Sequence, residues 1–193
     1  MNIIRRSWSP HSLAVMDMVL INSSPLNIRV LTCSLDRALV LYDVHPNRQV
    51  LRLGLPEPLE SVCINGTESL IFAGSSSGVI YCVNLAVAFL GIVTKTSSLT
   101  DRASHIFETG TSDRDGTLPV GVTALTGHVK AVTSMSCSLD NSTLVSVSAD
   151  GSMKWWDISS GQCIRDMKPL NKFALSNVLV RESAERSSIN EPF

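Results

Sequence analysis

The sequence predicts an all-β fold built from repeated four-stranded units. Three observations predict it: short runs in which apolar and polar residues alternate, turn-forming residues between the runs, and a pattern that returns about every 40 residues. Alternation in runs enriched in β-branched residues is typical of strands rather than helices. Hydrophobic residues make up 44% of the 193 residues and charged residues 17%, so the chain has enough apolar content for a packed core.

The repeat is clearest in the segment SADGSMKWWD, residues 148–157, in which two aspartates lie seven residues apart. The segment SLDRALVLYD, residues 34–43, has the same spacing, and SSSGVIYCVN, residues 75–84, has Ser and Asn at these two positions. The first and second copies lie 41 residues apart and the second and third 73 residues apart. The longer distance corresponds to one repeat plus an insert of roughly 32 residues.

Each copy extends in both directions into the same succession of strands. The runs HSLAVMDM and HVKAVTSM begin the first and third copies, and LESVCIN, which lacks a histidine, begins the second. Residue types that favour turns follow these runs: Ser24-Pro25, Asn65-Gly66 and Asp140-Asn141. Asn47 and Gly161 each lie four residues past the second aspartate of the first and third copies, in a turn where a left-handed backbone is easiest for Asn or Gly. Four strands in about 40 residues are typical of one blade of a β-propeller.

The ends of the chain are out of phase with these units. We therefore predict an outer strand of a missing preceding blade at 1–7, a first repeat at 8–57, a degenerate second repeat at 58–125 with a flexible insert at about 86–119, a third repeat at 126–168, the first strand of a following blade at 169–180, and a disordered tail at 181–193. Three blades cannot close a ring, which typically needs four to eight. The prediction is thus a propeller fragment of about three blades with single flanking strands and an open ring.

Three short motifs resemble a complete WD40 repeat: Gly-His at 127–128, SAD at 148–150 and Trp-Asp at 156–157. The resemblance implies a buried hydrogen-bonded tetrad, in which the aspartate orients the histidine and the serine links the histidine to the indole. Its members would be His128, Ser146, Asp150 and Trp156, with Ser148 as the alternative to Ser146. Such a network satisfies every buried polar group, which is what burial requires.

The other two copies depart from this pattern. The first copy is expected to form a partial tetrad from His11, Thr32 or Ser34, Asp36, and Tyr42 in the place of the tryptophan. The second copy has Ser77 and Val83 at the matching positions and no histidine, so it is expected to rely on packing alone. Because neighbouring side chains on a strand point to opposite faces, Trp155 is directed away from Trp156. Trp155 and Trp8 are therefore candidates for partner binding, with packing against an adjacent blade as the alternative.

The order of typical and atypical copies, together with WSPHSL at 8–13, resembles the WD-repeat subunits of the assembly that matures the large ribosomal subunit. The root-initiation-defective-like proteins of plants belong to the same group. This resemblance implies a non-enzymatic nuclear scaffold, in the nucleolus and nucleoplasm, that acts in pre-rRNA processing and 60S biogenesis. Its partners would be other protein subunits of a pre-ribosomal assembly, and any RNA contact would be indirect. The alternative is a WD40 adaptor of a ubiquitin ligase or a chromatin-associated complex.

Other chemistry is weakly supported by the sequence. GSSSG at 74–78 fits the G-x-S-x-G pattern of a hydrolase, but that motif needs a following helix, and the alternating VIYCVNL predicts a strand. Ser76 is therefore assigned to a hairpin turn, and no catalytic residue is predicted. The four histidines and five single cysteines lack metal-ligand spacing, so neither a metal nor a cofactor is expected. A formal charge of -1 predicts no strong non-specific attraction to membranes or nucleic acid.

Overall fold

The computed structural model describes residues 8–22, 28–45, 47–95, 107–109, 118–168 and 174–180. The flanking strand predicted at 1–7 and the tail predicted at 181–193 lie outside these residues. The elements in chain order are β1 (Val15–Asn22), β2 (Ile28–Ser34), β3 (Ala38–Asp43), β4 (Arg48–Gly54), β5 (Leu59–Ile64), β6 (Leu70–Ser75), β7 (Ile80–Asn84), α1 (Leu85–Lys95), β8 (Phe107–Thr109), β9 (Val122–Leu125), β10 (Val132–Cys137), β11 (Thr143–Ser148), β12 (Met153–Asp157) and β13 (Cys163–Met167).

The strands form three separate sheets, one for each predicted repeat. The first sheet has the order β1-β2-β3-β4-β8, the second β5-β6-β7-β9 and the third β10-β11-β12-β13. Within each set of four, neighbouring strands are antiparallel. The sheets do not close into a ring, so the predicted all-β, open arrangement of four-stranded blades is confirmed.

The first strand of every sheet contains the same irregularity. The register with the second strand shifts between Val15 and Asp17 in β1, and equivalent shifts occur in β5 and β10. A shift of this kind is a β-bulge, which bends the strand and redirects its side chains. The shared bulge aligns the three repeats in space, so that Met18, Val62 and Met135 are at equivalent positions.

The core lies between the sheets. One cluster of buried apolar side chains joins the first and second sheets, and a second cluster joins the second and third sheets. Val62 and Met135 face the preceding sheet and are only 3% and 6% exposed, whereas the equivalent Met18 is 69% exposed. Leu20, two residues further along β1, is 65% exposed. The first sheet therefore presents toward solvent an apolar face that the other sheets bury against a neighbour.

The insert is more regular than the sequence predicted. We expected a flexible loop at about 86–119, but Leu85–Lys95 form α1 and Phe107–Thr109 form β8, so the expectation is wrong for these segments. Asn84 caps the helix, because its Oδ1 accepts a hydrogen bond from the amide of Val87 at 3.2 Å. Ala88 is 1% exposed and packs into the first core cluster. Strand β8 pairs in parallel with β4 and covers the outer edge of the first sheet.

Residues 174–180 lie alongside β10. The amides of Val178 and Val180 donate hydrogen bonds to Ser134 Oγ at 3.3 Å and Ser136 Oγ at 3.1 Å. The second sheet makes the matching contact with the first, where the amide of Val62 donates to Asp17 Oδ2 at 2.9 Å. Residues 174–180 thus lie against β10 in the way that β5 lies against β1, and they have no strand assignment.

Candidate functional site

A buried network links the motifs of the third repeat. His128 lies in the loop before β10, and its Nε2 is 2.7 Å from Ser146 Oγ on β11. Trp156 on β12 donates its indole N–H to the same Oγ at 2.8 Å. On its other side, His128 Nδ1 lies 2.7 Å from Ser152 Oγ. With a neutral imidazole that carries its hydrogen on Nδ1, the hydroxyl of Ser146 donates to Nε2 and every member is satisfied.

The aspartate of the predicted tetrad enters this network differently from the prediction. Asp150 Oδ2 is 3.7 Å from His128 Nδ1, which is too long for a hydrogen bond, and Ser152 stands between them. Ser152 was missed because the other copies have no hydroxyl at this position, two residues after the aspartate. Ser148, the alternative to Ser146, instead donates to the carbonyl of Lys130 at 2.9 Å.

The charges in this network are set by burial and by the turn amides. Asp150 accepts hydrogen bonds from the amides of Val129 at 2.8 Å and Ser152 at 2.7 Å. Burial raises the pKa of Asp150, but the Ser152 side chain and the two amides outweigh it and hold the pKa well below its usual value. Burial lowers the pKa of His128, and the nearby Asp150 only partly opposes this effect. The network therefore holds an ionised aspartate and a neutral histidine near pH 7.

The first repeat forms a shorter version of the network. His11 Nδ1 lies 3.1 Å from Asp36 Oδ1, and His11 Nε2 lies 2.8 Å from Thr32 Oγ1. Asp36 accepts from the amides of Ser12 at 2.9 Å and Ala38 at 3.0 Å, which match the two amides around Asp150. Burial raises the pKa of Asp36, but these amides and His11 lower it overall. Ala38 stands where the third repeat has Ser152, so the carboxylate reaches the imidazole directly.

Tyr42 does not take the place of the tryptophan in the first network. Its hydroxyl donates to Asn47 Oδ1, in the turn before β4. Its ring stacks on Trp8, with ring centroids 3.9 Å apart. Trp8, which the sequence left open as a partner-binding residue, is therefore half-buried against its own blade.

The second repeat has packing in place of a network. Ala73 and Val83 occupy the positions of Ser146 and Trp156, and both are 0% exposed. Ser77, at the aspartate position, lies 3.0 Å from Ser75 through their hydroxyl oxygens. Ser76 lies in the hairpin turn between β6 and β7, so a strand rather than a helix follows it. That geometry does not form a nucleophile elbow.

The glycines of GSSSG permit close packing against the third sheet. A Cβ atom on Gly74 would lie 2.5 Å from Ser61 Oγ and 2.7 Å from Val132 Cβ. Gly78 has φ of +100°, and a Cβ there would lie 2.5 Å from the carbonyl oxygen of His128. The motif therefore positions the second sheet against the loop that holds the histidine network.

The glycine of the Gly-His pair has a comparable role inside the third repeat. A Cβ on Gly127 would lie 2.9 Å from Cη2 of Trp156. The absence of a side chain at Gly127 therefore lets the loop close over the indole, which is 2% exposed.

Trp155 and its surroundings form the aromatic part of the site. Trp155 is half-buried on the face of β12 opposite Trp156, and the guanidinium of Arg165 lies 5.4 Å from its ring centroid. An arginine over a tryptophan is a favourable cation–π arrangement, and such aromatic groups are frequent in protein interfaces. Trp155 is thus partly accessible, whereas Trp156 is used internally.

The part of the chain that the structure describes contains no group of three or more His, Cys, Asp or Glu side chains arranged to hold a metal ion. Among these described residues, no helix is long and apolar enough to span a membrane.

Acidification is expected to destabilise the folded chain through His128. The pKa of His128 is lower in the folded state than the value of about 6.5 in the unfolded chain. The neutral histidine therefore contributes its full share of the folding free energy above about pH 6.5. The contribution is lost as the pH falls through the folded-state pKa, with a slope of at most about 1.4 kcal/mol per pH unit. Urea denaturation between pH 7.5 and 5 measures this dependence.

The matched variants are His128→Gln and His45→Gln, the latter in an exposed turn. His45→Gln should keep the pH dependence, and His128→Gln should reduce its slope. Equal slopes in the two variants would contradict the assignment of this effect to His128.

The sheets of four antiparallel strands and the His-Ser-Trp network define the class of the protein. A family model described as "WD domain, G-beta repeat" matches residues 119–157, the segment that contains the complete network. Residues 119–157 of this chain therefore contain a WD40 repeat, and each of its three sheets contains the four strands expected of such repeats.

Relatives across most of the chain have a more specific description. "Pre-rRNA-processing protein pro-1" of Caenorhabditis briggsae is 28% identical over 83% of this chain and 27% of the relative. "Pre-rRNA-processing protein IPI3" of Yarrowia lipolytica is 29% identical over 84% and 35%. "WD repeat-containing protein 18" of Homo sapiens is 30% identical over 83% and 33%. The chain therefore spans about a third of the length of these relatives.

Solved structures agree on the fold. The structure of U3-55K and the crystal structure of the RRP9 WD40 repeats each superpose with a TM-score of 0.65. They cover 90% of this chain and 45% and 44% of the solved chains, at 14% identity.

Proposed function

We propose that this chain is a non-enzymatic WD40 scaffold for protein–protein interaction in pre-rRNA processing and large-subunit (60S) ribosome biogenesis. The observation that supports it most strongly is the extent of the similarity to proteins named as pre-rRNA-processing factors. That similarity covers 83–84% of the chain, whereas the general WD40 pattern matches only residues 119–157. The likeness thus includes the degenerate second repeat, which the general pattern does not explain.

The geometry of the polar residues favours binding over catalysis. Both ring nitrogens of His128 are engaged by Ser146 and Ser152, and the carboxylate of Asp150 is engaged by turn amides. These groups hold loops and strands together, and Ser76 lies in a hairpin turn. We therefore assign the function to surfaces, among which the half-buried Trp155 with Arg165 is the aromatic candidate.

Other protein subunits of a nuclear pre-ribosomal assembly are the proposed partners, with the chain located in the nucleolus and nucleoplasm. The formal charge of -1 supports protein contacts over direct attraction to the RNA backbone. Any RNA contact would then be made through the partners, and neither a membrane nor a small-molecule substrate is part of the proposal.

Affinity purification of the tagged full chain from nuclear extract tests this function. We expect co-purification of large-subunit precursor rRNA and pre-ribosomal proteins, identified by sequencing and mass spectrometry. A Trp155→Ala variant should capture less of these proteins while its melting temperature stays within a few degrees of the parent, since the side chain is only partly buried and lies outside the histidine network. Recovery of ubiquitin-ligase subunits or histones, without pre-ribosomal factors, would instead favour the adaptor of another complex.

A further inference from the structure

Two cysteines meet at the interface of the second and third sheets. Cys63 on β5 and Cys137 on β10 are 74 residues apart in sequence, and their Sγ atoms are 3.7 Å apart. Both belong to the apolar contact between these sheets, where Cys63 is 7% exposed and Cys137 is partly buried. The contact arises because the bulged inner strands direct Cys63 toward the following sheet and Cys137 toward the preceding one.

The two thiols have unequal chemistry. The hydrogen bond from Cys63 lowers the pKa of Cys137, because the buried thiol stabilises the neighbouring thiolate. The same contact, together with burial, raises the pKa of Cys63. A partly accessible thiol with a lowered pKa next to a buried thiol is the arrangement of an attacking and a resolving cysteine.

We propose that Cys63 and Cys137 are a redox modification site, at which a hydroperoxide converts the two thiols into a disulfide that links the second and third sheets. A disulfide has an S–S distance of about 2 Å, so the sulfur atoms must approach by roughly 1.7 Å. The proposal is independent of the ribosomal function.

The reaction balances with one hydroperoxide for each disulfide. The thiolate of Cys137 attacks the terminal peroxide oxygen and breaks the O–O bond, which leaves a sulfenic acid and, after protonation, an alcohol or water. The sulfur of Cys63 then attacks the sulfur of Cys137, the S–S bond forms, and hydroxide leaves with the proton of Cys63 as water. The two thiols lose two electrons, and the peroxide gains them.

The link would change how the two sheets are held together. In the reduced chain this interface consists of apolar packing and a few hydrogen bonds, such as Ser61 Oγ to the carbonyl of Val132 at 2.6 Å. A disulfide that closes a loop of this length restricts the unfolded chain strongly. We expect oxidation to raise the melting temperature by roughly 5 °C or more, and a dithiol reductant to reverse the change.

Treatment of the full chain with hydrogen peroxide, followed by peptide mass spectrometry without reduction, tests the proposal. We expect one linked peptide pair that contains Cys63 and Cys137, at the mass of the two peptides minus two hydrogens. Cys33→Ser is the matched control, since burial raises the pKa of that thiol to about 12 and it lies in the other core cluster. This control should keep both the linked peptide and the rise in melting temperature.

Two single variants separate the steps. Cys63→Ser should abolish the link and leave a sulfenic acid on Cys137, which dimedone traps, whereas Cys137→Ser should abolish both. Cys82→Ser should still form the link, because Cys82 is not part of the pair. A parent chain without the Cys63–Cys137 peptide, or one that instead links Cys63 to Cys82, would overturn the proposal.

Discussion

Replacing Trp156 with alanine is expected to lower the free energy of unfolding by about 3–5 kcal/mol. The indole is 2% exposed, packs in the second core cluster and donates its N–H to Ser146. The substitution therefore leaves a cavity and removes one hydrogen-bond donor from a buried network. Urea denaturation followed by far-ultraviolet circular dichroism measures the loss without relying on tryptophan fluorescence.

The adjacent Trp155→Ala variant is the control for this experiment. Trp155 lies on the opposite face, is partly exposed and packs beside Arg165, so its loss should cost about 1–2 kcal/mol, clearly less than the loss of Trp156. Trp156→Phe should fall between the two, since it keeps most of the packing and loses the N–H. Equal costs for the two alanine variants would show that the internal and external tryptophans have been assigned incorrectly.

Replacing Gly74 with alanine is expected to destabilise the chain by about 1–3 kcal/mol, although only one methyl group is added. The new Cβ would lie 2.5 Å from Ser61 Oγ and 2.7 Å from Val132 Cβ, so the second and third sheets must move apart. The same urea denaturation measures the cost. Hydrogen exchange at the amides of β10 should become faster, because this strand lies on the other side of the contact.

Gly66→Ala is the matched control for Gly74→Ala. A Cβ on Gly66 would approach only the side chain of Asn141, at 3.2 Å, so that side chain need move by only a few tenths of an ångström while its Oδ1 keeps the hydrogen bond from the Gly66 amide. We therefore expect a change of less than about 0.5 kcal/mol and unchanged exchange in β10. If the two variants lose equal stability, the clash between the sheets is not the cause.

The strands were predictable because their information is local. Alternation sets which side chains share a face, and turn residues set where each strand ends. Asn47 and Gly161 have the left-handed backbone expected at their turns, with φ of 72° and 69°. The helix was not predictable from the repeat. Asn84 occupies the position of Asp157, and both side chains accept a hydrogen bond from the amide three residues later. Asp157 closes a turn through the amide of Ser160, whereas Asn84 begins α1.

The histidine network was predictable only in part. The positions of His128, Ser146 and Trp156 follow from the repeat and from strand register, which places Ser146 and Trp156 on neighbouring strands. The insertion of Ser152 between His128 and Asp150 depends on the exact path of the turn. A comparison of Asp-x-Ala in the first repeat with Asp-x-Ser in the third offered the one available signal, since a hydroxyl two residues after the aspartate competes for the imidazole.

The sequence by itself thus determined the repeat, its four strands and the side chains that each strand directs to one face, because these depend on neighbours along the chain. The tertiary structure decided what those faces meet. The contact of Gly74 with Val132 and the 3.7 Å approach of Cys63 to Cys137 both depend on how one sheet packs on the next. Partners more than 50 residues apart are brought together by sheet packing, and no local pattern of residues encodes that distance.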